Sequence, residues 1–173
     1  MLVGAGATES AFRREAPASR VIHLATLGVL NKNNPLFSFV QLESGDGEDG
    51  RLDVHEVFGL NLAADLVVLS ACQTGLGSGA LSDVPPGDDW VGLTRAFLHA
   101  GAGNVIATLW QVDDWATAAV MEQFYTRYGL HGDPATALAA AQRTILRASG
   151  TKHPFYWAGF TAVSGSGTAG LAP

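Results

Sequence analysis

A chain of 173 residues, 47% hydrophobic and 15% charged, is long and apolar enough to fold around one sizeable core. Its formal net charge of −6 comes without a Lys/Arg cluster. That argues against nucleic acid as a partner, since such binding needs cations that displace counterions. Cys72 stands alone, so no internal disulfide forms, and no run approaches the roughly 20 apolar residues of a bilayer span. With no signal-peptide pattern at the start, the expectation is a soluble, cytoplasmic protein without a membrane partner.

In chain order, residues 20–25 (RVIHLA) are apolar and rich in β-branching, and predict a strand. Residues 36–42 and 51–54 predict a hairpin around the acidic, glycine-rich stretch 43–50. The order of Asp46, Glu48 and Asp49 does not fit a calcium loop, so a solvated turn is expected there. Residues 66–71 (LVVLSA) are apolar on both faces, as a central parallel strand requires. A loop rich in Gly, Pro, Ser and Asp occupies 75–89. A helix then starts near Trp90, capped by Asp88 or Asp89, with Leu93, Phe97 and Leu98 inward and Gly101 at its end.

Residues 104–109 predict the next strand. Val120, Phe124 and Tyr128, one turn apart, predict the buried stripe of a helix from about 114 that stops at Gly129. Asp133–Pro134 opens a third helix, with Leu138, Gln142, Ile145 and Leu146 facing inward and Gly150 closing it. A last strand is expected over 155–163. The domain is taken as 1–165, and the Gly/Ala-rich end, 166–173, as a disordered tail. This alternation indicates a wound, mainly parallel sheet flanked by helices, an α/β fold.

In such sheets, sites gather at the carboxyl ends of the strands. Cys72 ends the most apolar strand and precedes a glycine-rich loop. That placement suits a nucleophile, and equally suits the last buried residue of a strand. No Gly-x-Ser-x-Gly elbow, dinucleotide fingerprint or Walker sequence is present, and His23, His55, His99, His131 and His153 lack metal-ligand spacing. No cofactor and no metal site is expected.

Five blocks, in this order and spacing, carry a specific resemblance. They are Val21–Ile22–His23–Leu24–Ala25–Thr26, the run from Leu69 to Gly75, Arg95 to Ala102, Thr108 to Asp114, and His153 to Ala158. Together they resemble the CHAT family, relatives of caspases and separases. The resemblance implies a caspase-like three-layer fold and a Cys/His dyad that cleaves peptide bonds. Cys72 matches the nucleophile, and Gly28 the glycine whose N–H joins that of Cys72 in an oxyanion hole. The family's histidine falls at Leu27, a residue that cannot act as a base. His23 lies four residues earlier, roughly 13 Å away along an extended strand, and is no substitute.

Separases hold a basic substrate side chain with an aspartate after the matching Leu–Trp pair. Asp114 is the closer match and Asp113 the next, although either also serves as a helix cap. Trp110 is expected in the core rather than as a pocket wall. The family's domain usually begins further upstream, so an N-terminally truncated domain is expected. It often follows helical repeats, which would make the tetratricopeptide (TPR) region of a parent chain a partner.

Two functional readings follow. The first is a proteolytically degenerate module, a pseudoenzyme that binds a peptide or protein partner. The second is an active cysteine endopeptidase cleaving after a basic residue, its base supplied by another histidine or an upstream segment.

Overall fold

The computed structural model describes residues 1–31, 34–70, 72–73, 90–110 and 112–165. Its strands are β1 (Val21–Leu24), β2 (Leu27–Val29), β3 (Phe39–Gln41), β4 (Arg51–Asp53), β5 (Leu66–Leu69), β6 (Cys72–Gln73), β7 (Asn104–Thr108) and β8 (Phe160–Ser164). The α-helices are α1 (Glu9–Glu15), α2 (Val54–Val57), α3 (Trp90–His99), α4 (Asp114–His131) and α5 (Pro134–Arg147).

The main sheet has the order β1-β5-β7-β8. β1, β5 and β7 run parallel, and β8 closes one side antiparallel to β7. The strands predicted at 20–25, 66–71 and 104–109 therefore share one sheet. All four residues of β5 are fully buried, as its two-sided apolar run requires. Alternation then splits the core. Val67 and Leu69 join Ile22, Leu24, Val105 and Ala107 against Leu93 and Phe97 of α3 and Phe12 of α1. Leu66, Val68 and Ile106 pack on the other face against Val120 and Phe124 of α4 and Leu138, Ala141 and Ile145 of α5. Each large side chain removed from water contributes about 1.5–3 kcal/mol. Helices on both faces of a mostly parallel sheet are the caspase-like α/β arrangement expected.

Several boundaries differ from the sequence reading. α4 runs through Gly129 and ends at Gly132, which has φ 70°. A helix interior tolerates one glycine at about 1 kcal/mol, whereas the left-handed stop needs one. Tyr128 is half-buried and stacks on Phe124 with ring centroids 5.6 Å apart. Leu146 does not face inward; it is 38% exposed. The last strand begins at Phe160, because Pro154–Tyr156 form a 3-10 turn with the His153 side chain as its cap. The expected caps Asp88 and Asp89, most of the 75–89 loop and the tail at 166–173 lie outside the described residues.

Gly101 turns the chain from α3 toward β7 at φ 112°; a Cβ there would sit 2.3 Å from the Leu62 carbonyl oxygen. The hairpin forms as expected, with Gln41 opposite Arg51. Its acidic tip is held by α1, a helix missing from the sequence reading. Glu9, 1% exposed, accepts from Arg13 Nε and Nη2 at 2.9 and 2.7 Å and from the Gly50 N–H at 3.2 Å. Arg13 also reaches Glu56 at 2.7 Å and Glu48 at 3.7 Å. Burial raises the pKa of Glu9, with help from the Glu56 and Glu48 charges and against the Arg13 hydrogen bond.

Candidate functional site

Beyond their carboxyl ends, β1 and β5 both continue into a second, smaller sheet of order β4-β3-β2-β6. β2 and β6 pair in parallel, as β1 and β5 do. The offset between partners is 45 residues in both pairs, 21 to 66 and 27 to 72, so the register survives the break between the sheets. Leu27 is the register partner of Cys72, and Gly28 that of Gln73. Adjacent strands lie about 4.8 Å apart, so residues 27 and 72 sit side by side at the carboxyl edge. Gly28 also pairs with Val40 of β3. The hydroxyl of Ser70, two residues before Cys72, is buried and has no partner among the described residues.

The chain leaving β7 builds a cleft at the same edge. It has a volume of about 910 Å³ and is lined by Trp110, Val112, Asp113 and Asp114 on one side and His153, Pro154 and Phe155 on the other. The two walls interlock. The Trp110 indole donates to the Phe155 carbonyl at 3.3 Å, and the Leu109 N–H to that of Gly159. Gly159 lets them close, since a Cβ there would lie 2.6 Å from Val112 Cγ2 and 3.1 Å from Trp110 Cε2. Gln142 of α5 fixes the second wall from behind, donating to the carbonyls of Trp157 and Phe160 at 3.0 and 2.9 Å.

Asp113 and Asp114 therefore both line the cleft, and they differ in local duty. Asp113 caps α4, its Oδ1 accepting from the N–H groups of Trp115 and Ala116 at 3.0 and 3.2 Å. Asp114 lies in the first turn. Trp110 packs against the core while also forming a cleft wall, so it serves both roles weighed for it.

The histidines separate clearly. His23 projects from β1 and stacks on Tyr125 of α4 at 5.6 Å, its Nδ1 2.9 Å from the Tyr125 hydroxyl. Burial lowers the pKa of His23 and pushes that of Tyr125 up to about 12, so a neutral imidazole accepts from a neutral phenol. His55 contacts the Leu36 carbonyl and Phe37, and His99 lies against Phe58. His153 is the described histidine that lines the cleft, with Nδ1 accepting from the Phe155 N–H at 3.2 Å. The sequence reading treated it as scattered; its signal was the His–Pro pair opening a turn. Among the described residues, no three His, Cys, Asp or Glu side chains group as a metal site, and no helix is long and apolar enough to cross a membrane.

A parallel sheet between helices, with a cysteine and an acidic cleft at its carboxyl edge, defines a caspase-like α/β module. The CHAT domain model matches residues 1–166, and the chain belongs to that family. Among curated proteins, it is similar to Tetratricopeptide repeat protein 28 of Mus musculus, 36% identical over 113 residues, 65% of this chain and 4% of that protein. It is also similar to the Homo sapiens protein of the same name, 32% identical over 134 residues, 72% of this chain and 5% of that protein. The chain thus spans about a twentieth of the length of these relatives.

Proposed function

We propose that this chain is a proteolytically degenerate CHAT module, a pseudoenzyme that binds a peptide or protein through its carboxyl-edge cleft. The observation that supports this most is the pairing of Leu27 with Cys72. The position beside the cysteine is where an imidazole would take the thiol proton and later protonate the leaving amine. Leucine does neither, and its apolar surface disfavours a thiolate. The N–H groups of Gly28 and Cys72 would still favour an oxyanion, so binding of a peptide carbonyl need not vanish with catalysis. Asp114, assisted by Asp113, supplies negative charge for a basic side chain. Both relatives are named for tetratricopeptide repeats, which makes such a repeat region a natural partner for the module.

The rival reading, an active endopeptidase cutting after a basic residue, draws on His153, which lines the cleft. Iodoacetamide alkylation of Cys72 across pH separates the two. The degenerate reading expects a midpoint at or above about 8, near that of an unassisted thiol, and a lower one in Leu27→His. A low midpoint in the unaltered chain that rises in His153→Ala would establish the rival instead.

A further inference from the structure

Exposed apolar side chains scattered singly are ordinary on a protein surface, but two large ones flanking a charged cleft are not. Trp115 follows directly on the acidic pair and is 65% exposed. Phe155, on the opposite wall, is 42% exposed. Neither is loosely held. The Trp115 backbone N–H is fixed by the Asp113 carboxylate, and Phe155 packs edge-on against Tyr156 with centroids 5.5 Å apart. The cleft between them is walled by the Trp110 indole and carries Asp113 and Asp114.

We infer that the cleft carries a second, aromatic subsite formed by Trp115 and Phe155. Its occupant is an extended peptide in which a cationic residue is flanked by a bulky apolar one. This rests on the reading of the cleft as a binding site for a basic side chain. The acidic pair complements the cation, and the indole of Trp110 offers a π-face beside it. The neighbouring apolar side chain covers Trp115 and Phe155 and removes their exposed surface from water. Aromatic anchors of this kind dominate the energetics of small interfaces, whereas an exposed charge pair alone contributes little. Selectivity should therefore follow the apolar neighbour as strongly as the cation.

Fluorescence anisotropy with four labelled decapeptides tests this. They carry Arg–Phe, Arg–Ser, Gln–Phe or Gln–Ser at their centre and are otherwise identical and polar. The full chain should bind Arg–Phe about tenfold more tightly than either single-feature peptide, the ratio expected when one aromatic ring is largely buried. Trp115→Ala, an exposed change that leaves the core untouched, should reduce Arg–Phe binding at least about fivefold more than Arg–Ser binding. Equal affinity for Arg–Phe and Arg–Ser overturns the aromatic subsite and leaves the basic site standing. Equal affinity for Arg–Phe and Gln–Phe, with Trp115→Ala weakening both, keeps the subsite and removes the basic site. No binding to any peptide overturns both. Concentration-dependent self-association abolished by Trp115→Ala would assign the patch to a second copy of this chain and overturn the inference.

Discussion

Gly159→Ala tests whether the two cleft walls are held in place by packing. The backbone at Gly159 is outside the left-handed region, so the substitution adds no conformational strain and acts by volume alone. Its new methyl would meet Val112 Cγ2 at 2.6 Å and the Trp110 ring at 3.1 and 3.2 Å. Carbon atoms pack best at about 3.5–4.0 Å, so one wall must retreat by about 1 Å. Val112 is 2% exposed and stiff about χ1, which leaves the 153–159 segment and the indole to move. The Trp110–Phe155 hydrogen bond is already 3.3 Å long and would not survive that displacement. Overpacking costs about 1–3 kcal/mol and the lost bond about 1 kcal/mol, so a loss of about 2–3 kcal/mol is expected. Urea denaturation should show a midpoint lower by about 1 M at unchanged slope. The near-ultraviolet circular dichroism should change in the same variant. An unaltered spectrum with a stability change below about 0.5 kcal/mol would refute the interlocked-wall argument.

Phe124→Ala removes a ring with no exposed surface from the core between α4 and the sheet, and should cost about 3–5 kcal/mol in calorimetry or denaturant melts. Asp113→Ala deletes the α4 cap and should cost about 0.5–2 kcal/mol by urea denaturation, with Asp113→Ser recovering most of the loss. His23 has its pKa lowered by burial against Tyr125, so its neutral form favours folding. Its stabilising contribution is whole above the unfolded value of about 6.5 and fades as pH falls through the lower folded value. The stability difference between the chain and His23→Gln, followed by urea melts from pH 8 to 4, should shrink toward acid. A pH-independent difference would refute the neutral-imidazole assignment.

The parts of this fold legible in the sequence are those whose energetics are local. Four consecutive buried residues of β5 and the one-turn repeat of Val120 and Phe124 each state their environment. Asp133 caps α5 through the Thr136 N–H at 2.9 Å, as its place before Pro134 suggested. The missing elements were short. α2 spans four residues, β2 three around a glycine, and β6 two, too few for any period to register. α1 presents only Ala11 and Phe12 as buried apolar residues and owes its place to the distant hairpin. The importance of Leu27 and Cys72 was read from family resemblance, because parallel pairing across 45 residues leaves no local trace. The cleft was half legible. Residues 110–114 and 153–155 meet only through the antiparallel return of β8, and nothing in either segment announces the other.

Arg13 has a consequence for how the chain is cut. One guanidinium serves Glu9 on its own helix, Glu48 at the hairpin tip and Glu56 on α2. A fragment starting after residue 15 would lose that cation along with α1, leaving Glu48 and Glu56 without it and opening the underlying core at Phe12. The first fifteen residues are thus part of the folding unit rather than a leader to it. A protease that nicks the chain just behind α1 would free that helix to leave and turn an otherwise silent surface cleavage into a destabilising one.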